Sequence, residues 1–215
     1  MTRLFVFDLD GTLVDSLRDL ADSANELIVS CGGAALEPDA VARMVGEGAA
    51  TLVSRAFTAA RVDQPADALS RFLAIYDNRL LNHTRPYEGM EDTLRTLSSR
   101  ASLAVLTNKP LAATRRILDG LALSTFFDAG AVIGGDGPFP RKPDPAGLLQ
   151  LCERAGVAPA DTVLVGDSWI DWQTARNAET AICVARYGFG FREFPRETLN
   201  GREQLIDRPV DLLKL

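Results

Sequence analysis

A chain of 215 residues, 47% apolar and 24% charged, is long enough to bury a sizeable core without disulfide or metal staples, and its ordinary composition excludes disorder, collagen and coiled coil. A formal net charge of −6 argues against general nucleic-acid binding, and no apolar run approaches the length of a membrane span. Cys31, Cys152 and Cys183 form no CxxC pair and are expected as free thiols in a reducing compartment; the short apolar run before Asp8 is no signal peptide, so a cytoplasmic protein is expected. In chain order, the first predicted strand covers residues 4–7. A helix follows over 17–28, capped by Asp15 or Ser16 and ended by Gly32-Gly33. Further helices are predicted over 38–45, 49–60 and 66–81, with no convincing strand between Ser16 and Asn82. After the turn Tyr87-Glu88-Gly89 the pattern alternates: helix 91–97, strand 103–106, helix 111–121, strand 129–133, helix 146–155, strand 162–165, helix 172–178, strand 181–184. Short apolar strands alternating with helices predict an α/β fold, a parallel Rossmann-like sheet with helices on both faces. The helical stretch predicts an all-helical cap domain, residues 16–83, inserted after the first strand into a core domain formed by 1–15 and 84–215.

The strongest chemical signal is Asp8-Leu9-Asp10-Gly11-Thr12-Leu13, directly after the first strand. In a parallel sheet, ligands bind in the crevice beyond the strand C-terminal ends. Later strands deliver polar groups to the same crevice: Thr107-Asn108-Lys109, then Arg141-Lys142-Pro143-Asp144-Pro145, then Gly166-Asp167-Ser168 with Asp171 beyond. Clustered aspartates make a hard, oxygen-only site of the kind Mg²⁺ prefers. A lysine and a hydroxyl beside that metal suit a transferring phosphoryl group, and an aspartate is a competent nucleophile toward phosphorus. The inventory reads as metal-assisted phosphoryl transfer.

With DLDGTL at 8–13, TNK at 107–109, KPDP at 142–145 and GDSWID at 166–171, essentially the whole chain resembles the haloacid dehalogenase-like hydrolases. Within them it is most similar to the phosphoglycolate phosphatases, on VGEG at 45–48, VIGGD at 132–136 and YGFG at 187–190. The resemblance implies a phosphatase for small phosphate monoesters acting through an aspartyl-phosphate. Hydrolysis or mutase chemistry on another small phosphometabolite, such as a sugar phosphate, a nucleotide or pyrophosphate, is the alternative. It implies Asp8 as the nucleophile, which also binds Mg²⁺, and Asp10 as the acid and base, with its carbonyl on the metal. It further implies Thr107 and the backbone of Asn108 as phosphate holders, Lys142 as the neutralising cation and Asp167 as the remaining metal ligand. Asp171 and Ser168 would orient these groups. Asp10 favours phosphatase over dehalogenase, because an alkoxide leaves only when protonated.

The loop Gly46-Glu47-Gly48, with Arg43 before it, is the candidate specificity element of the cap. Arg43 and Arg55 bracket it as candidate partners for a substrate carboxylate, and Glu47 would set a negative charge beside an anionic ligand. Trp169 and Trp172 are expected in helix packing and His83 in hinge packing. Asn82-His83-Thr84 is a chance match to a glycosylation triplet. The expected partner is a small phosphorylated metabolite, with no nucleic acid and no membrane, on a monomer or homodimer.

Overall fold

The computed structural model describes residues 3–215, so the first two residues of the expected 1–15 segment lie outside the described residues. Strand β1 (Arg3–Phe7) leads through the Asp8–Leu13 turn to a short strand β2 (Val14–Asp15). Four helices follow: α1 (Leu17–Ser30), α2 (Pro38–Ala42), α3 (Ala49–Ala60) and α4 (Ala68–Asp77). The chain returns through β3 (Arg85–Pro86) to α5 (Met90–Ser98), β4 (Ala101–Leu106), α6 (Leu111–Gly120), β5 (Val132–Ile133), α7 (Ala146–Ala155), β6 (Thr162–Gly166), α8 (Trp169–Asn177), β7 (Ala181–Ala185) and β8 (Gln204–Ile206). Six strands form one parallel sheet in the order β5-β4-β1-β6-β7-β8. This is an α/β Rossmann-like architecture, and β1 sits at its centre between β4 and β6.

Alternation along β1 explains how the sheet is covered. Phe5 and Phe7 point into a core that takes in Met90, Leu94 and Leu97 of α5 with Ile117 and Leu118 of α6. Leu4 and Val6 point into a second core with Leu148 and Leu151 of α7 and Ala175 of α8. Every strand residue from Leu4 to Phe7 is buried, as a strand covered on both faces requires.

The helices α1–α4 enter and leave the core side by side. Val14 pairs with Pro86 and Asp15 with Arg85 in a two-stranded antiparallel ribbon. A buried carboxylate braces it: Asp19 of α1 accepts bonds from the backbone N–H of His83 (3.0 and 2.9 Å), the backbone N–H of Thr84 (2.8 Å) and the Thr84 hydroxyl (2.8 Å). Of the two residues expected to cap α1, Asp15 accepts from the Leu17 N–H at 3.1 Å and Ser16 does not serve. Ser16 precedes the helix but makes no side-chain capping bond; its hydroxyl donates to Asp10 instead, at 2.5 Å.

Several element bounds differ from the sequence reading for local reasons. The expected strand 129–133 is a turn of 3₁₀ helix over Ala129–Ala131 followed by two strand residues. Helix α4 ends at Asp77 instead of near 81. Helix α8 starts at Trp169, earlier than expected, because Ser168 and Asp171 close a capping box there. Trp169 and Trp172 stack at 4.4 Å on α8, and the Trp172 indole N–H donates to Glu203 at 2.9 Å.

Candidate active site

The site forms where β1, β4 and β6 end. Asp8 continues β1, its backbone N–H donating to the Val165 carbonyl at 2.9 Å. Its Oδ1 accepts from the Leu9 N–H at 2.7 Å and lies 3.0 Å from the Lys142 ammonium. Lys142 also donates to Asp171 Oδ1 at 2.6 Å. The other oxygen of Asp171 accepts from the backbone N–H and hydroxyl of Ser168, at 3.0 and 2.6 Å, so Asp171 fixes both the lysine and the start of α8. Two of the three ammonium donors of Lys142 are thereby engaged, and one remains for a ligand oxygen.

Asp167 stands opposite, after β6. It accepts from the Gly190 N–H at 2.7 Å and from the Thr12 hydroxyl at 3.3 Å. The turn carrying Asp10 comes so close that a Cβ on Gly11, whose φ is +82°, would lie 2.0 Å from Asp167 Oδ2. Only glycine fits there. Carboxylate oxygens of Asp8, Asp167 and Asp171 lie within 4.8 Å of one another, all buried. Burial raises the Asp8 carboxyl to about 6 even with Lys142 pulling it down, and burial with the charges of Asp171 and Asp8 pushes Asp167 well above the ordinary carboxylate range. Asp171 is committed to Lys142 and Ser168. Asp8 and Asp167 are therefore the pair able to hold a divalent cation, an oxygen-only donor set whose crowded negative charge such an ion would relieve.

Thr107 ends β4. It is buried, and its hydroxyl oxygen accepts from the Lys109 N–H at 3.3 Å, which leaves the O–H free to donate. Asn108 does something the sequence did not suggest. Its side-chain amide donates to the carbonyls of Gly46 (2.9 Å) and Lys142 (3.0 Å) and accepts from the Lys142 N–H (2.9 Å), so it pins the helical region and the Lys142 loop together.

A cavity of about 340 Å³ lies over these groups, lined by Asp8, Asp10 and Thr107 below and by Leu20, Leu52 and Phe72 from α1, α3 and α4 above. Gly46 and Gly48 line it too; Arg43 and Glu47 do not. Both are exposed, and Glu47 is turned outward into an ion pair with Arg55. The charge expected beside the ligand is therefore neutralised away from it, and neither Arg43 nor Arg55 reaches the cavity. His83 is exposed, held by its backbone alone.

The sequence reading assigned no role to Lys109, Tyr76 or Ser16: Lys109 and Ser16 bond Asp10 directly, and Tyr76 holds Lys109. Lys109 donates to both Asp10 oxygens at 3.0 Å and to the Tyr76 hydroxyl at 2.7 Å. Burial alone would lower the Lys109 ammonium, but Asp10 and Tyr76 outweigh it and hold it above its ordinary value. Lys109 stands in the TNK motif, but Tyr76 carries no sequence signal of its own.

The family profile of the haloacid dehalogenase-like hydrolases matches residues 5–185, from β1 through β7 and across Asp8, Asp10, Thr107, Lys142, Asp167 and Asp171. The chain belongs to this family. Within it, the chain is 41% identical over 199 residues to the phosphoglycolate phosphatase of Rhodospirillum rubrum, spanning 88% of this chain and 81% of that protein. It is 38% identical over 198 residues to the phosphoglycolate phosphatase of Pseudomonas putida, at 88% and 71% coverage. Among solved structures, a predicted phosphoglycolate phosphatase of Haemophilus somnus superposes with a TM-score of 0.90 at 30% identity, covering 99% of this chain and 97% of that one. Among the described residues of this chain no helix is long and apolar enough to cross a membrane.

Proposed function

We propose that this hydrolase is a Mg²⁺-dependent phosphatase of small phosphate monoesters, that it converts 2-phosphoglycolate to glycolate and phosphate, and that it works through an aspartyl-phosphate on Asp8. One observation carries the chemistry: the Asp8 carboxylate is buried at the floor of the cavity, oriented by the Leu9 N–H and Lys142, and faces a second carboxylate, Asp167. The substrate rests on the likeness to phosphoglycolate phosphatases at 41% and 38% identity.

Asp8 attacks phosphorus, and the bond to the leaving oxygen breaks while Asp10 gives that oxygen a proton. Asp10 then takes a proton from water, which attacks the same phosphorus; the bond from phosphorus to Asp8 breaks, and phosphate and free Asp8 result. The unengaged donor of Lys142 and the Thr107 O–H hold phosphoryl oxygens through both transfers. Asp8, Asp167 and the Asp10 carbonyl would hold Mg²⁺, which supplies the positive charge that lets a carboxylate approach a dianionic phosphate. Helices α1, α3 and α4 exclude water and bulky ligands from Asp8.

A panel of phosphoglycolate, sugar phosphates, nucleoside monophosphates and pyrophosphate, compared by kcat/KM with and without EDTA, tests the proposal. Phosphoglycolate should rank first, and activity should vanish in chelator and return with Mg²⁺. A sugar phosphate or nucleotide at the head of the ranking overturns the substrate, and full activity in EDTA overturns the metal.

A further inference from the structure

Lys109 is the one cationic side chain lining the cavity among the described residues, and the proposed steps do not use it. It lies between β4 and α6 with its side chain only 5% exposed. All three of its ammonium donors are engaged: one to each Asp10 oxygen at 3.0 Å, and one to the Tyr76 hydroxyl at 2.7 Å. The ammonium also lies 4.5 Å from the centre of the Tyr76 ring. None of its donors is left for a phosphate oxygen, in contrast to Lys142. What it holds is a carboxylate and, across the cavity, a helix. Tyr76 belongs to α4, stacked on Phe72 at 5.8 Å, and the Ser16 hydroxyl fixes Asp10 from the other side at 2.5 Å.

We infer that Lys109 is a positioning residue that aims the Asp10 carboxylate at the leaving oxygen and is itself held by Tyr76, so that the proton donor is aligned only while α4 covers the crevice. This rests on the proposed role of Asp10. The lysine then acts on the proton delivered to the leaving group and not on the attack by Asp8. Its loss matters where the leaving alcohol needs that proton, and matters little where it does not.

The test measures kcat/KM, which covers steps through transfer to Asp8, on phosphoglycolate, ethyl phosphate and p-nitrophenyl phosphate. Lys109→Met should lose about 10²-fold on both alkyl esters and at most about tenfold on the aryl ester. Tyr76→Phe removes one oxygen and keeps the stacked ring; it should show the same pattern at smaller size, and it carries the test if Lys109→Met melts below the assay temperature. Combining Lys109→Met with Asp10→Asn should cost no more than Asp10→Asn alone, since both act on one proton transfer. Equal losses on all three esters from both single variants would mean a structural role and overturn the inference. A loss on phosphoglycolate not shared by ethyl phosphate would make Lys109 a reader of the substrate carboxylate and overturn it as well. Asp10→Asn alone tests the underlying reading: a loss that ignores the leaving group removes the acid role. The pairing of Lys109 with Asp10 is still judged by the double variant, where multiplied losses overturn it.

Discussion

Lys142 and Asp8 touch, yet their replacement has opposite consequences for the fold. Lys142 separates two buried carboxylates, Asp8 and Asp171. Lys142→Met leaves both without their counter-charge, a change that costs about 3–5 kcal/mol when a buried pair loses one member. Asp8→Asn keeps an oxygen for the Leu9 N–H and removes negative charge from a crowded site. It should lower kcat by at least ~10³-fold with Tm unchanged or raised, whereas Lys142→Met should lower both; thermal melting beside turnover separates the two. The same crowding sets a pH signature. Asp8 is raised to about 6 in the folded protein, above its unfolded value of roughly 3.9. The folded state thus binds more protons between these values, and the stability of the metal-free protein falls as pH rises through that window. Mg²⁺ competes with those protons, so the rise in Tm on adding Mg²⁺ should be larger at pH 8 than at pH 5. A larger rise at pH 5 would count against a cation between Asp8 and Asp167.

Elements carry the candidate site residues by their ends, and the ends explain what could be read in advance. Helices α3 and α7 begin and end where their periodicity says, because their apolar faces pack over their full length. Strand β8 gave no warning: it has three residues, two of them exposed, so it lacks both a buried run and an alternation. The ribbon of β2 and β3 is two residues to a side, too short for any pattern. Asp8 and Asp167 were legible because each follows a strand directly. Lys109 was visible, but its task was not, since it depends on Tyr76 in a distant helix and on Asp10 in a distant turn. Asn108 was expected to work through its backbone, and its side chain proves to be the tie between Gly46 and Lys142. At this scale Ser168→Ala should cost about 1 kcal/mol as a lost helix cap, roughly 2–4 °C in Tm for a chain of this size. Gly11→Ala should be far more damaging to turnover, since its methyl group would overlap Asp167.

Across the whole molecule, Asp19 braces α1 against the chain returning at His83 and Thr84 with four hydrogen bonds. Asp19→Asn turns an amide toward backbone donors at His83 and Thr84, where only acceptors serve. It should cost about 1–3 kcal/mol in urea unfolding. Because Thr84 is bound to α1, bending between the helices and the sheet is expected at the ribbon itself, Val14–Asp15 with Arg85–Pro86. That ribbon has a consequence for descent as well as for motion. The chain leaves the sheet at Asp15 and comes back at Arg85 as its direct antiparallel neighbour. Whatever is threaded between those two positions meets the same pair of ends, and closing a longer or shorter excursion changes the chain entropy only slowly. One inserted segment can be exchanged for another of different length without disturbing the strand order beneath. The sheet and the helices threaded into it at this ribbon are thus free to diversify at different rates.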